Sequence, residues 1–211
     1  MLSRTLLIVL IAPLAVPLAA QAPEGWRVRV DRSQSAEDPD DRPDLKFVTM
    51  GKGFHVTGGP AGTFWNPAQT VTGDYTARAT FTLMRPSPHV NYYGLVFGAG
   101  DLEGSGQNYI YCLVAQNGTY IVRHRAGNAV HDVQTSAPHP AVRQPDNNGR
   151  STNTVEVRVS GNTISYVVNG TVVHTTPKTG VTAKTDGIVG IRVNHLLDVH
   201  IEAFDVRTIS P

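Results

Sequence analysis

Apolar and polar residues alternate along most of this chain, and no segment shows a sustained helical period. In Tyr75–Leu83 the odd-numbered positions are apolar or aromatic, and the even-numbered ones are threonine or arginine. Thr154–Val159 repeats the pattern with three valines. Because the side chains of a strand point alternately to the two faces of a sheet, this period predicts half-buried strands. The alternation restricts the chain to an all-β architecture.

Turn residues separate the apolar runs at short intervals. Asn117-Gly118, Gly161-Asn162 and Asn169-Gly170 each lie between two such runs, as in two-residue hairpins. About a dozen short antiparallel strands are predicted, which requires a sandwich or a barrel. The predicted strands are Trp26–Val30, Lys46–Thr49, Phe54–Thr57, Thr63–Trp65, Tyr75–Leu83, three strands within Tyr92–Arg125, Thr154–Val159, Thr163–Val168, Thr171–Thr176, Ile188–Val193 and Asp198–Thr208. Ser33–Asp44 and Thr135–Ser151 are predicted to be loops.

The N-terminal segment has the features of a secretory signal peptide. Residues 1–22 combine Arg4, an apolar run over Leu6–Val16 and the small-residue end Ala19-Ala20-Gln21-Ala22, which contains an Ala-x-Ala cleavage site. A short membrane anchor is the alternative, but the run falls short of the roughly 20 apolar residues that a span needs. We therefore expect residues 1–22 to be removed, and residues 23–211 to form one secreted or periplasmic domain without a membrane span.

The remaining chain is formally neutral. The sequence has 18 Lys and Arg and 17 Asp and Glu, and the signal segment contains one basic and no acidic residue. Neutrality removes the electrostatic reason to expect a nucleic acid or an anionic membrane as partner. The single cysteine, Cys112, lies within an apolar strand, so we expect a buried small side chain rather than a nucleophile.

Several motifs resemble those of the concanavalin A-like lectin/glucanase superfamily. They are Gly73-Asp74-Tyr75, Tyr93–Phe97, Asn108–Val114, Asn117–Tyr120, Val167–Gly170 and Asp186–Arg192. More narrowly, the chain resembles the laminin G-like and 3-keto-disaccharide hydrolase-type domains of exported bacterial proteins. The resemblance covers roughly residues 45–208. It implies a two-sheet antiparallel jelly-roll sandwich with a curved sheet that often holds sugar.

The Asn117-Gly118 dipeptide, taken as a two-residue turn, sets a register for the strands on either side. Cys112 then pairs with Arg123. This register places two groups of polar or aromatic side chains on opposite faces, Tyr109, Tyr111 and His124 on one and Arg123 and Arg125 on the other. Sugar sites combine aromatic platforms with planar hydrogen-bond donors, so either group is a candidate ligand-binding surface. The alternative is that one group is core and the other ordinary surface.

Two further residues are candidates for ligand binding. Trp65 offers the best stacking surface for a sugar, with a core position as the alternative. Asp101 lies with Glu103 in the glycine-rich loop Gly98–Asn108, where solvated surface charge is the alternative. No cofactor is required, and calcium is the one that the oxygen atoms of this loop would suit.

Histidine and carboxylate residues near the C-terminus allow two other hypotheses. His195, Asp198 and His200 form a candidate metal group, with a solvent-facing strand edge as the alternative. Glycoside hydrolysis needs two facing carboxyls. Glu202 and Asp205 do not supply them, because their odd spacing predicts opposite faces of a regular strand. We therefore expect no catalytic residue.

The sequence thus predicts an exported, non-catalytic module for carbohydrate recognition or another interaction, with a glycan as partner. The first alternative is an enzyme that cleaves a glycosidic bond, as the hydrolase resemblance implies. The second is a structural accessory protein of the cell envelope.

Overall fold

A computed structural model describes residues 22–33 and 38–209 of the chain. The predicted signal peptide lies outside the described residues except for Ala22. Within the described part there are fourteen strands and two short 3-10 helices, Pro39–Asp41 and Gly180–Thr182. The strands are β1 (Arg27–Asp31), β2 (Lys46–Met50), β3 (Gly53–Thr57), β4 (Ala61–Val71), β5 (Tyr75–Arg85), β6 (Tyr92–Gly100), β7 (Asn108–Ala115), β8 (Thr119–Ala126), β9 (Ala129–Pro138), β10 (Ser151–Ser160), β11 (Thr163–Val168), β12 (Thr171–Pro177), β13 (Gly187–Val193) and β14 (Asp198–Thr208).

The strands form two antiparallel sheets of seven. Sheet A has the order β1-β4-β13-β6-β7-β8-β9, and sheet B the order β12-β11-β10-β5-β14-β3-β2. This arrangement confirms the predicted all-β jelly-roll sandwich. None of the described helices is long and apolar enough to cross a membrane.

The alternating segments build the core between the sheets. The five odd-numbered side chains of Tyr75–Leu83 are fully buried, as are the three valines of Thr154–Val159. Cys112 is buried in the same core, and burial raises the pKa of its thiol to about 12. A thiol with such a pKa stays protonated at neutral pH, which fits the predicted packing role.

One strand, β9, was not predicted from the sequence. β9 forms the free edge of sheet A, and most of its residues are exposed. An edge strand with one neighbour needs no apolar face, so its sequence lacks the alternation that marks β5 or β10. The second half of β9 lies in the segment Thr135–Ser151 that the sequence assigned to a loop.

The predicted register of the β7–β8 hairpin is wrong by one residue. Cys112 pairs with Val122, and Tyr111 pairs with Arg123. The loop has three residues, 116–118, and ends at Gly118, whose φ of 80° is left-handed. A three-residue loop of this kind uses the same Asn-Gly pair as a two-residue turn, but it shifts the partner strand by one position.

This shift changes which side chains share a face. Tyr109 and Tyr111 lie on the same face as Arg123 and Arg125, on the outer side of sheet A. His124 lies on the opposite face, with the core residues of β8. The two groups that the sequence separated are therefore brought together, without the histidine.

Candidate functional site

The outer face of sheet A carries a stripe of arginine and tyrosine side chains that come from four of its strands, β1, β13, β7 and β8. We call this set the arginine–tyrosine stripe; it comprises Arg29, Tyr109, Tyr111, Arg123, Arg125 and Arg192. Strand pairing brings its members into line: Arg29 lies opposite Thr63, and Thr63 lies opposite Arg192. Beyond β6, Tyr111 of β7 is paired with Arg123 of β8. Gly190 has no space for a side chain on this face, because a Cβ there would lie 2.5 Å from the Phe64 carbonyl oxygen and 3.1 Å from Trp65 Cβ.

Arg192 is the buried centre of the stripe. Its Nη1 donates hydrogen bonds to Asp31 Oδ2 at 2.7 Å, Thr63 Oγ1 at 2.9 Å and Tyr109 OH at 3.1 Å. Its guanidinium lies 5.8 Å from the centroid of the Tyr111 ring. Only 8% of the residue is exposed, so a partner carboxylate and further acceptors are needed to offset the loss of hydration.

Asp31 is held in its ionised form by this environment. Burial by itself would raise the pKa of the carboxyl, but the charge and the hydrogen bond of Arg192 oppose that effect. Arg125 and Arg29 add further attraction, and the net result is a pKa below the usual value. Asp31 is therefore a fixed negative charge rather than a proton donor.

The glycine-rich loop between β6 and β7 lies across the stripe. We call residues 101–107 the cover loop. Arg29 Nη1 donates to the carbonyls of Leu102 at 3.1 Å and Gly104 at 2.8 Å, and Arg27 pairs with Glu103 at 2.7 Å. These contacts tie the loop to β1, three strands away from β6 in the sheet. Leu102 packs beneath the loop in a buried cluster on this face.

Asp101 organises the cover loop. Its Oδ2 accepts a hydrogen bond from the Gly106 amide at 2.9 Å, and its carbonyl accepts one from the Gly104 amide at 3.1 Å. A Cβ at Gly104 would lie 2.1 Å from Asp101 Oδ1, so a side chain there would displace the carboxylate from its present position. The carboxylate is engaged by the loop backbone, while the residue as a whole is exposed. Its predicted role in ligand or calcium binding stays a prediction.

The aromatic candidates lie under the cover loop. Trp65 is 2% exposed and Tyr109 is fully buried, and both pack with Leu102 in the outer-face cluster. Tyr111 is in the same cluster, 5.6 Å from Tyr109 between ring centroids. With the loop in this position, the rings of Trp65, Tyr109 and Tyr111 are covered and present no free surface on which a sugar could stack.

The reachable part of the stripe is formed by the arginines of β8. Arg123 and Arg125 are both half-buried. Arg123 Nε donates to Asp132 Oδ1 of β9 at 2.6 Å, and Arg125 Nε donates to the Gly127 carbonyl at 2.7 Å. Tyr92 lies on the same face at the far end of β6 from the cover loop, where its hydroxyl donates to Ser136 Oγ at 2.8 Å. The planar donors of Arg123 and Arg125 are therefore presented beside the covered half of the face.

His124 is separated from these groups. It lies on the core side of β8 and stacks on His131 of β9, with ring centroids 5.6 Å apart. Burial and the neighbouring His131 lower the pKa of His124. Its predicted contact with a ligand beside Tyr109 would require the opposite face of the sheet.

The histidine and carboxylate residues of β14 lie on sheet B, away from the stripe. Asp198 pairs with His55 at 3.0 Å, and His200 pairs with Glu202 at 3.2 Å. His195 precedes the strand. Among the described residues, no group of three or more His, Cys, Asp or Glu has a geometry that could hold a metal ion.

The prediction that Glu202 and Asp205 point to opposite faces is wrong. Glu202 pairs with Thr80 and Asp205 with Arg78, which are two residues apart on β5 and share a face. An irregularity in β14 at Ala203, whose φ is 51°, inserts the extra residue. The two carboxylates therefore share a face, but Asp205 is paired with Arg207 at 2.7 Å and Glu202 with His200.

Sequence reasoning missed Arg29, Asp31 and Arg192. One signal was present for Arg192, since a single arginine within the apolar strand Gly187–Val193 must find a buried partner. No local signal identifies that partner as Asp31. The pairing depends on β1 and β13 lying on either side of β4.

The sequence matches no protein-family model and no curated protein. Comparison with solved structures finds carbohydrate-binding module CBM66 from Bacillus subtilis at TM-score 0.61 and 10% identity, covering 87% of this chain and 96% of that chain. A Bacillus subtilis protein of unknown function with a galectin-like fold matches at TM-score 0.62 and 14% identity, covering 87% and 89%. A Bacteroides ovatus GH43B protein from a xyloglucan locus matches at TM-score 0.54 and 12% identity, covering 90% and 38%. At identities this low the likeness shows a shared jelly-roll sandwich fold.

Proposed function

We propose that this protein recognises carbohydrate without cleaving it, through the open half of the outer face of sheet A. The observation that carries the proposal is the grouping of Arg123, Arg125 and Asp132 on one face beside the cover loop. Fixed planar donors with acceptors between them suit the hydroxyl-rich edges of a sugar. The likeness of the fold to that of a carbohydrate-binding module supports the same class of ligand.

The carboxylates of this face favour binding over hydrolysis. A glycosidase needs one carboxyl with a raised pKa as its general acid and a second one facing it. Here three carboxylates are paired with an arginine, Asp31 with Arg192, Glu103 with Arg27, and Asp132 with Arg123, and Asp101 accepts a hydrogen bond from the Gly106 amide. The lowered pKa of Asp31 is the opposite of what an acid catalyst requires.

Export to the periplasm or the medium belongs to the same proposal, as does a single domain over residues 23–211. Both rest on the sequence of residues 1–22 and on the absence of a dividing linker. The narrower resemblance to laminin G-like and 3-keto-disaccharide hydrolase-type domains concerns a subdivision within the shared jelly-roll fold. Mass analysis of the protein recovered from the culture medium or periplasm tests the cleavage.

A glycan array combined with a hydrolysis screen tests the function. We expect binding to one class of glycan, no release of reducing sugar, and weaker binding by Arg123→Ala with an unchanged thermal midpoint. Release of sugar would support the enzymatic alternative. The absence of both binding on the array and release of sugar would support an accessory envelope protein. Unfolding of Arg123→Ala would show that Arg123 is structural and that the binding surface lies elsewhere.

A further inference from the structure

We infer that the carbohydrate bound by this face is acidic and that its anionic group lies over Arg125. The inference rests on the proposed function and specifies its ligand class. It is drawn from the charge balance of the face, from the free donors of Arg125 and from the formal neutrality of residues 23–211 as a whole.

Arginines outnumber carboxylates on the outer face of sheet A. The face and its cover loop carry five arginines, Arg27, Arg29, Arg123, Arg125 and Arg192, against four carboxylates, Asp31, Asp101, Glu103 and Asp132. Arg192 and Arg29 share the single carboxylate of Asp31, at 2.7 and 3.3 Å. The face therefore keeps an excess of one positive charge.

Arg125 is the stripe residue best placed to receive an anion. It makes no ion pair within the described part of the chain, and its one hydrogen bond there uses Nε, which donates to the Gly127 carbonyl. That bond fixes the orientation of the guanidinium and leaves both terminal nitrogens for a ligand. Two parallel N–H groups match the two oxygens of a carboxylate, so a half-buried arginine held in this way is preorganised for one.

The excess charge is local. Without residues 1–22 the chain is formally neutral, so the stripe is not part of a generally basic surface. On the outer face of sheet B, Arg158 pairs with Glu156 and Arg207 pairs with Asp205. A local excess beside hydroxyl and carboxylate groups suits a ligand that combines one anionic group with neutral hydroxyls, as an acidic sugar does.

The experiment compares acidic polysaccharides with neutral derivatives of the same chain. Affinity electrophoresis of the full-length mature protein would use polygalacturonate and hyaluronate, each beside its carboxyl-reduced form. Dextran sulfate beside dextran forms a second arm, which distinguishes a carboxylate from a sulfate as the anionic group. We expect at least one acidic polymer to bind, and its neutral counterpart to bind at least about tenfold more weakly, a difference of about 1.4 kcal/mol.

Variants assign the effect to Arg125. Arg125→Gln should lower the affinity for the acidic polymer about tenfold, and Arg125→Lys should restore it only in part, because an ammonium lacks the guanidinium fork. Arg207→Gln is the matched control, since it removes one arginine from the other sheet. If Arg125→Gln does not fold, Arg123→Gln serves as a second variant on the same face.

The outcomes separate this inference from the proposed function. Equal binding of the acidic polymer and its carboxyl-reduced form would overturn the inference and leave carbohydrate recognition standing. Equal losses in Arg125→Gln and Arg207→Gln would indicate unspecific ion exchange and would also overturn it. Absence of binding to every glycan, acidic or neutral, would overturn the proposed function itself.

Discussion

Arg192 and Asp31 form a 2.7 Å ion pair that joins β13 to β1 across the strand between them. Both side chains are largely buried on the outer face of sheet A, outside the core of the sandwich. The Asp31 carboxylate also forms an ion pair with Arg29, whose Nη1 donates a hydrogen bond to the cover loop. One aspartate thus connects the buried centre of the stripe to the loop that lies over it.

Removing Asp31 should destabilise the fold strongly. Asp31→Ala leaves Arg192 buried without its carboxylate, which costs about 3 kcal/mol of unfolding free energy. Urea denaturation at pH 7 measures the loss. In an Arg192→Met background, the further loss of unfolding free energy caused by Asp31→Ala should be much smaller, because no buried charge is left unpaired. A loss below about 1 kcal/mol for Asp31→Ala in the wild-type background would show that Thr63 and Tyr109 alone satisfy Arg192.

The cover loop should open when Gly104 gains a side chain. Gly104→Ala places a Cβ against Asp101 Oδ1, so the carboxylate must move away from the Gly106 amide. We expect amide hydrogen exchange at Gly106 to accelerate by about tenfold or more, with little change in global stability. Ser105→Ala, at the exposed position between them, is the control and should leave the exchange unchanged. Unchanged exchange in Gly104→Ala would mean that Asp101 does not hold this loop.

The fold should lose stability as the pH falls below about 6.5. Burial lowers the pKa of His124 and of His174, so both bind a proton less readily in the folded chain than in the unfolded one. Their contribution to stability is complete above the unfolded pKa of 6.5 and declines as the pH drops through the lowered values. Thermal melting from pH 8 to pH 5 measures the decline.

A variant at His124 identifies its share of that decline. His124→Gln removes the titration on the core side of β8 and the like-charge contact with His131. The melting temperature of this variant should fall less steeply between pH 6.5 and pH 5 than that of the wild type. Parallel slopes for the variant and the wild type would exclude His124 as a source of the pH dependence.

The sequence alone predicts the strands that follow one local rule, the alternation of apolar and polar residues. β5 and β10 were predicted because every second residue is apolar, and the structure buries those residues. β9 was not predicted, because an exposed edge strand has no such pattern. Glu202 and Asp205 were predicted to point to opposite faces, but they share one. The irregularity at Ala203 inserts an extra residue that no local sequence motif indicates.

The candidate site could be predicted only in part for a related reason. The residues of β7 and β8 were recognised, but a three-residue loop in place of a two-residue turn changed which of them meet. The contacts of Arg192 with Asp31 and of Arg29 with Leu102 join residues far apart in sequence. They follow from strand order in sheet A, which alternation alone does not determine.

The β7–β8 hairpin offers a direct test of the turn geometry that sets the stripe. Gly118 and Gly170 both adopt left-handed φ, 80° and 83°, so alanine at either position should cost about 1–2 kcal/mol from the backbone. A Cβ at Gly118 would also lie 2.9 Å from Gln144 Nε2, whereas no atom lies within 4 Å of one at Gly170. Gly118→Ala should therefore be the more destabilising in urea denaturation.

A second substitution separates the two contributions to that cost. In a Gln144→Ala background the steric contact at Gly118 is absent, so the costs of Gly118→Ala and Gly170→Ala should become equal. Asparagine tolerates left-handed φ better than alanine does, so Gly118→Asn should recover part of the loss in a Gln144→Ala background. If Gly118→Ala were neutral in both backgrounds, the loop would not need a left-handed residue. The register that places Arg123 beside Tyr111 would then lose its physical basis, because that register follows from the three-residue loop.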